Sequence, residues 1–293
     1  MEWYPAHHRD LPWRRTHDPY AIWVSEIMLQ QTRVAAVIPY YERFLKALPD
    51  VAALAAVDDD RLNRLWQGLG YYSRTRNLKK AANEVLSRFA GRMPESYQAL
   101  LSLSGVGSYT AGAIASIAFG ERVPAVDGNV LRVYARLRND PCDVADPATK
   151  ARVFDALKAV MPADPGMFNQ AMMELGATVC VPNGRPNCEA CPLAPVCRAK
   201  AAGTEALLPN KTPKKPRTVE NRTVFALFDA DAPLLRKRPD NGLLAGLYEL
   251  PNVSGTLSTD EAMQQLSAWG LHPVGDVQSY FAKQIGRASC RER

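Results

Sequence analysis

The 293-residue sequence contains no apolar run close to the roughly eighteen residues that a membrane-spanning helix needs, and no signal-peptide pattern follows Met1. We therefore expect an intracellular, soluble protein. Strand-like alternation of apolar and polar residues is also absent before residue 220, which favours an all-helical structure up to that point. The length suggests two domains, and a hydrophobic content of 47% is sufficient to build their cores.

A large excess of charge of one sign is also missing, because the net charge is +6 and the isoelectric point lies near 9.0. A polyanionic partner is compatible with this balance, but many soluble proteins are equally basic. A local cluster is more informative: a basic helix follows a glycine-containing turn at residues 66–72, and its cations are Arg74, Arg76, Lys79 and Lys80. This pattern indicates either a solvated helix face or a nucleic-acid surface.

A helical hairpin is predicted at residues 97–119. Gly105 and Gly107 flank Val106 and separate a short apolar helix from a second helix that begins at Ser108. Glycine permits a tight turn and a close approach of the backbone to a partner. The unpaired amides at the start of the second helix suit a phosphate, although an ordinary hairpin whose glycines only make the turn has the same pattern.

Two carboxylates are candidates for chemistry. Asp18 followed by Pro19 predicts a helix start, and Glu26 lies among the apolar residues of that helix. Glu26 either faces solvent or faces a dry pocket, where desolvation would raise its pKa and make it a proton donor. Asp127 stands immediately before another predicted helix, where it can act as the N-cap.

The cysteines give the most specific local pattern. Cys180, Cys188, Cys191 and Cys197 follow a C-x7-C-x2-C-x5-C spacing, which is typical of a metal site rather than of disulfides in a reducing compartment. Four thiolates suit either tetrahedral zinc or an iron-sulfur cluster, and the spacing alone leaves both open. Cys142 stands apart, and we expect it to be a small buried side chain.

The composition changes after the cysteines. Residues 1–202 form the predicted helical region, and residues 203–221 are polar, basic and proline-containing, as in an interdomain linker. Beyond the linker we expect a small α+β domain over 222–284, with strands at 223–228 and 234–238 and a helix at 258–269. Residues 285–293, IGRASCRER, match one translated frame of a common sequencing adapter, so we interpret them as an artefact.

Taken together, an ordered series of motifs resembles the helix-hairpin-helix DNA glycosylases and, within them, the MutY-type adenine DNA glycosylases. The motifs are LPWR (11–14), SEIMLQQT (25–32), GLGYYSR (68–74), LSGVGSYTAGAI (103–114), VDGNVLR (126–132), ELGATVC (174–180) and the four cysteines. The resemblance covers residues 3–284. It implies a mainly α fold, with a six-helix barrel domain and an iron-sulfur cluster domain, followed by a truncated α+β Nudix-like domain.

The resemblance also assigns catalytic roles. It implies that Glu26 is the general acid that protonates the purine and that Asp127 stabilises the oxocarbenium sugar. Tyr109 occupies the hairpin position at which endonuclease III-type enzymes carry a lysine, whose amine forms a Schiff base and cleaves the strand. A phenol cannot do this, so we expect a monofunctional glycosylase in which Tyr109 and Asn129 position Asp127 and the sugar.

DNA contacts follow from the same resemblance. Extrusion of a base requires a side chain that fills the gap, and Gln31 and Tyr71 match the family's wedge residues. Gly105, Val106 and Gly107 would hold a backbone phosphate through main-chain amides. The remaining expected DNA- or base-binding residues, around the adenine pocket and the opposing base, are Trp13, Arg14, Leu29, Gln30, Thr32 and Arg132; Trp13 could equally be a core residue.

The cofactor and the partner are likewise implied by the family. Its four-cysteine motif binds a [4Fe-4S] cluster, although the first gap here has seven residues in place of the usual six. The expected substrate is double-stranded DNA with adenine opposite 8-oxoguanine or guanine, bound by a cytoplasmic, bacterial, nucleoid-associated monomer. The second domain has neither an acidic Nudix box nor a Phe-Ser-His tripeptide, so we expect no pyrophosphatase activity and a weaker preference for 8-oxoguanine.

Two alternative functions stay open at this point. One is an endonuclease III-like or thymine-mismatch DNA glycosylase with the same fold, against which Tyr109 and the second domain argue. The other is a non-catalytic DNA-binding protein that uses the hairpin and a zinc-filled four-cysteine site. Loss of excision with retained DNA binding on Glu26→Gln substitution would separate an enzyme from a binding module.

Overall fold

The computed structural model describes residues 2–213, 219–239, 242, 244–272 and 274. The chain divides into two compact units, Met1–Pro213 and Lys214–Arg293. In the first unit the helices are α1 Trp3–His7, α2 Pro19–Leu29, α3 Val34–Ala47, α4 Val51–Ala56, α5 Asp59–Trp66, α6 Ser73–Phe89, α7 Tyr97–Leu101, α8 Ser108–Phe119, α9 Gly128–Arg138, α10 Pro147–Ala159, α11 Pro165–Thr178 and α12 Arg198–Ala202, with short 3₁₀ helices at Pro12–Arg14 and Ala194–Val196. No β-strand occurs among the described residues before Arg222, as predicted.

Helix α2 lies at the centre of the first unit. It begins as predicted, because the Asp18 carboxylate accepts a hydrogen bond from the Tyr20 amide (3.0 Å) and Pro19 occupies the first turn. It packs against α3, α6 and α8, and Trp23 and Met28 are fully buried. A helix that is covered on all sides can hold a polar side chain away from water.

Two hydrophobic cores stabilise this unit. The larger one surrounds α2 and includes Trp23, Phe44 and Trp66. The smaller one joins α9, α10 and α11, and Cys180 and Cys191 pack against it. Among the helices of the described residues, none is long and apolar enough to cross a membrane.

The hairpin predicted at 97–119 is formed by α7 and α8. Gly105 in its turn has a φ of +76°, and a Cβ there would lie 2.6 Å from the Cβ of Asn77 on α6. Glycine is therefore required both by the backbone conformation and by the close approach of α6.

The boundary of the first unit differs from the predicted one at residue 202. Arg136 Nε donates to the Leu208 carbonyl (2.9 Å), and the Val144 amide donates to the Asn210 carbonyl (3.0 Å). Leu208 is also buried. Residues 203–213 thus pack onto the first unit. The composition of this polar, proline-containing segment predicts a linker, but it does not reveal the backbone hydrogen bonds that fix the segment in place.

Cys142 is exposed, so the prediction of a buried side chain is wrong. It lies between α9 and α10, where its amide donates to the Asp140 carboxylate (3.0 Å). Position in a surface turn outweighs the general preference of cysteine for the interior.

The second unit contains short antiparallel strand pairs and one helix among its described residues. The strands are β1 Arg222–Val224, β2 Phe228–Asp229, β3 Ala232–Pro233, β4 Arg236–Lys237, β5 Tyr248–Glu249 and β6 Asn252–Ser254, paired β1–β6, β2–β3 and β4–β5. Helix α13, Thr259–Ala268, begins with a capping box between Ser258 and Glu261. The strand predicted at 223–228 is therefore interrupted, and the one at 234–238 is shortened. Residues 275–284 of the predicted domain and the suspected adapter segment 285–293 lie outside the described residues.

The contact between α9 and α11 allows a test of the packing. A Cβ at Gly176 would lie 2.5 Å from the Asn129 Cβ and 3.0 Å from its Cα, so Gly176→Ala forces the helices apart. We expect the free energy of unfolding to fall by about 1–3 kcal/mol in a urea titration. Gly128→Ala, whose added Cβ would meet nothing within 4 Å, is the matched control and should change it by less than about 0.5 kcal/mol. Equal stability of the two variants would contradict this close approach.

Candidate active site

Glu26 is buried in the middle of α2, with 6% of its surface exposed. Its Oε2 atom has no hydrogen-bond partner among the described residues. Burial raises the pKa of Glu26 to about 7, and the charge of Asp127 adds to this, while Tyr109 and Arg14 act in the opposite direction. The dry-pocket interpretation is therefore correct, and the solvated-face alternative is wrong.

Asp127 caps α9 as the sequence predicts. Its Oδ1 accepts from the Val130 amide (2.8 Å) and its Oδ2 from the side-chain amide of Asn129 (2.7 Å). These hydrogen bonds favour the ionised form, but burial is the larger effect and raises the pKa of Asp127 above its usual value. The two carboxyl groups, from α2 and from the start of α9, are close enough to perturb each other.

Tyr109 projects from the first turn of α8 towards the same site. Its hydroxyl donates to Met173 Sδ (3.1 Å) and also lies beside Glu26, where it lowers the pKa of that carboxyl. Burial and the neighbouring carboxylates raise the pKa of Tyr109 well above its usual value. The phenol therefore stays protonated at neutral pH and can donate a hydrogen bond. Residue 109 supplies a hydroxyl group and not an amine.

Arg14 belongs to a buried ion-pair cluster that the sequence does not predict. Glu174 of α11 is fully buried and accepts from Arg14 Nη2 (2.6 Å) and from Arg9 Nη2 (2.7 Å) and Nε (2.8 Å). Burial alone would raise the pKa of Glu174, but hydrogen bonds from the two arginines outweigh it and lower the pKa to about 2. Glu174 therefore holds Arg14 beside Glu26.

Asn169 is a second residue that sequence reasoning missed. Buried in α11, it accepts from the Ala125 amide (3.0 Å) and donates to the Val123 carbonyl (2.9 Å) and Ser116 Oγ (2.8 Å). It fixes the connector that leads into Asp127. Its position within an apolar helical stripe carries no signal of this role.

Two of the predicted DNA- or base-binding residues are occupied inside the protein. Trp13 is buried in the large core, edge-on to Tyr41, which supports the core alternative. Arg132 is buried and donates to Asn129 Oδ1 (2.8 Å), to the Gly176 carbonyl (2.7 Å) and to the Cys180 carbonyl (2.7 Å). Arg132 thus links the Asp127 cap to the start of the cysteine loop, and its guanidinium is engaged within the protein.

The expected wedge residues lie in two turns. Gln31 is exposed just after α2, and Tyr71 is half-buried before α6. Both have left-handed backbones, with φ of 58° and 50°. Leu29, Gln30 and Thr32 are half-buried beside Gln31.

In the hairpin turn, Gly105 and Gly107 are exposed, whereas Val106 is buried and its amide donates to the Leu103 carbonyl (3.1 Å). Val106 is therefore an anchor of the turn, and its amide is already occupied. A phosphate would instead meet the exposed glycines and the first amides of α8.

The four clustered cysteines are free thiols that line one cavity together with Arg136 and Glu205. Arg136 Nη1 lies 3.2 Å from Cys180 Sγ, and burial raises the pKa of both Cys188 and Cys191. Within the described part of the chain, no three or more His, Cys, Asp or Glu side chains converge on a point that could hold a single metal ion. In the seven-residue gap between Cys180 and Cys188, residues 182–185 are exposed.

The pKa of Glu26 predicts a pH-dependent stability effect. Because its pKa is higher in the folded state than its ordinary value of 4.5, stability falls as pH rises from about 4.5 through about 7. The loss above pH 7 is at most about 3 kcal/mol, and Glu26→Gln should remove it. We expect this variant to gain stability relative to the unsubstituted protein at pH 8 but not at pH 4, measured by urea unfolding, with exposed Glu95→Gln as the control. The same gain at both pH values would contradict the raised pKa.

Comparison with known proteins is consistent with this geometry. Residues 24–162 match the HhH-GPD superfamily base excision DNA repair protein family. The adenine DNA glycosylase of Homo sapiens is 39% identical over 348 residues, covering 96% of this chain and 64% of the human protein. That of Buchnera aphidicola subsp. Schizaphis graminum is 31% identical, covering 90% of this chain and 77% of that protein. The chain thus spans about two thirds of the length of the human relative.

Solved structures agree on the fold. A thermostable thymine-DNA glycosylase superposes with a TM-score of 0.62 at 28% identity, covering 69% of this chain and 93% of that one. A trapped endonuclease III-DNA covalent intermediate gives 0.59 at 25% identity, covering 69% and 92%. The helical fold, the paired carboxyl groups and the similarity to adenine DNA glycosylases over most of the chain lead to one conclusion: the chain belongs to the adenine DNA glycosylase family of the HhH-GPD superfamily.

Proposed function

We propose that the protein is a monofunctional DNA glycosylase that removes adenine mispaired with 8-oxoguanine or guanine in double-stranded DNA. The observation that carries the proposal is the dry environment of Glu26, whose pKa of about 7 suits a general acid, next to Asp127. We propose adenine as the base that is removed because the similar proteins are named adenine DNA glycosylases.

In the proposed reaction, Glu26 donates its proton to a ring nitrogen of the extruded adenine. The N-glycosidic bond then breaks, its electron pair goes to the base, and adenine leaves as a neutral molecule. The Asp127 carboxylate stabilises the positive charge on the sugar until water adds at the anomeric carbon, and the proton that this water releases restores the protonated form of Glu26. The two carboxyl groups thus have separate roles. The protonated Glu26 is the acid, and Asp127, which accepts hydrogen bonds, stabilises the sugar.

Tyr109 supports an enzyme without lyase activity. Strand cleavage through a Schiff base needs an amine that attacks the sugar, and the hydroxyl at this position cannot supply one. Held between Met173 and Glu26, the phenol instead orients the carboxyl group.

The four thiols fit the [4Fe-4S] cluster that the family resemblance implies. The four cysteines line a shared cavity, and the family resemblance favours the cluster over a single zinc ion. Cys180, Cys188, Cys191 and Cys197 would bind the iron atoms, and the adjacent Arg136 would offset the negative charge of four thiolates. When bound, the cluster supplies a redox-active group that cross-links this loop to the α9–α12 region.

A single-turnover assay tests the activity. The substrate is a duplex with adenine opposite 8-oxoguanine, and the products are analysed with and without hot alkali. We expect strand breakage only after alkali, because base removal leaves an intact abasic strand. Breakage without alkali in a nuclease-free preparation would contradict the role of Tyr109, and absence of base loss would contradict the proposed function.

The pH profile of the same assay tests Glu26. Since the protonated form is the active acid, the single-turnover rate should fall by about tenfold per pH unit above pH 7. Glu26→Gln should abolish excision while mismatched DNA remains bound in a mobility-shift assay. A flat profile from pH 6 to 9, or an active Glu26→Gln variant, would rule out this acid.

A further inference from the structure

Arg74 is a buried cation at the end of α2. Its Nη1 atom donates to three carbonyl groups of the last turn, those of Ile27 (2.9 Å), Met28 (2.8 Å) and Gln30 (2.8 Å). These carbonyls have no partner within the helix, and they carry the negative end of its dipole. Arg74, which comes from the first turn of α6, thus caps the C-terminus of a different helix.

The other half of the guanidinium binds the second turn. Arg74 Nη2 donates to the carbonyls of Leu69 (3.0 Å) and Gly70 (3.1 Å). The guanidinium also lies 5.1 Å from the Trp66 ring centroid and 5.5 Å from that of Tyr71. A single planar group therefore connects the segment that ends at Gln31 with the segment that ends at Tyr71.

Both connected segments adopt a conformation that their sequences do not favour. Gln31 and Tyr71 each have a positive φ, which costs free energy for a residue with a Cβ and persists only where surrounding contacts enforce it. Arg74 makes its contacts directly before these two positions. The contacts are therefore placed to maintain the strained turns in the absence of DNA.

The charge of Arg74 has an unusual environment. The described residues give it no carboxylate partner, and it is 7% exposed. Burial lowers its pKa to about 10, so it remains charged at neutral pH. Five carbonyl dipoles and two aromatic faces stabilise this charge, which means that the two turns and the cation require each other.

We propose that Arg74 is a positioning residue that holds the turns of Gln31 and Tyr71 in the shape that enters the DNA stack. This inference rests on the proposed function and on the family resemblance, which implies that these two side chains fill the gap left by an extruded adenine. The guanidinium of Arg74 is engaged by backbone carbonyls, so we assign it no direct contact with the base or the sugar. It acts by preorganising both wedges before binding, so that the ordering cost is not incurred during extrusion.

Arg74→Lys tests the geometry while it retains the charge. An ammonium group has three donors and no planar fork, so it cannot satisfy both turns at once. The exposed Arg138→Lys is the matched control. Hydrogen exchange of the DNA-free protein should become faster at residues 30–32 and 68–71 in Arg74→Lys and remain unchanged elsewhere. Unchanged exchange in these turns, or global unfolding of the variant, would overturn the inference.

Base extrusion provides the functional measurement. The target adenine is replaced by 2-aminopurine opposite 8-oxoguanine, and all proteins carry Glu26→Gln so that the base is not removed. We expect Arg74→Lys to reduce the fluorescence increase on extrusion by about tenfold, and Arg138→Lys to leave it unchanged. Extrusion by Arg74→Lys equal to that of the control would contradict the proposal.

A double-mutant cycle distinguishes positioning from a separate effect. If Arg74 acts through the wedge residues, Arg74→Lys should cost less in the Gln31→Ala background than in the unsubstituted one, because Tyr71 contacts the guanidinium directly and Gln31 allows the cleaner test. If the double variant loses extrusion by the product of the two single losses, Arg74 acts elsewhere. The proposed function is tested independently, because failure of the unsubstituted protein to remove adenine would contradict that function, whereas the exchange measurement on free protein would still decide whether Arg74 maintains the turns.

Discussion

The burial of α2 is the constraint on which the rest of the site depends. Because α3, α6 and α8 cover this helix, the carboxyl group of Glu26 is removed from water and favours its protonated form at neutral pH. The same burial leaves the carbonyls at the end of α2 without water, and Arg74 is the group that satisfies them. A single packing arrangement thus creates both a proton donor and a rigid support for the turn beyond it.

Three carboxyl groups near this helix show how environment divides their roles. Glu26 has no strong cation to hold its charge, so desolvation dominates. Glu174 is also buried, but two arginines keep it ionised. Asp127 lies between these extremes, since burial competes with hydrogen bonds from Val130 and Asn129. The balance between burial and the donors that meet a carboxyl group therefore decides its ionisation state.

Local features could be predicted from the sequence because their determinants are neighbours in the chain. The Asp18 and Asp127 caps and the glycine turn of the hairpin are of this kind. Contacts between distant segments could not be predicted in the same way. Nothing near Glu174 in the sequence indicates Arg9 and Arg14 as its partners, 165 and 160 residues away.

The errors have the same origin. The sequence predicted Arg132 as a DNA contact and placed Arg74 on either a solvated face or a nucleic-acid surface, because a sequence shows charge but not direction; both side chains are buried against backbone carbonyls. Arginine is suited to such positions, since its planar fork can satisfy several carbonyls that tertiary packing brings together. A buried arginine in these motifs is therefore as much a structural hub as a candidate for DNA binding.

The most direct test of the account is the ionisation of Glu26 itself. Infrared difference spectroscopy during a pH titration, with Glu26→Gln as the reference, isolates the carbonyl stretch of its protonated carboxyl group. We expect a band that is lost with a midpoint near pH 7. A midpoint near the ordinary value of 4.5 would show that Glu26 is solvated and ionised, and would contradict the role of the dry helix in supplying the proton.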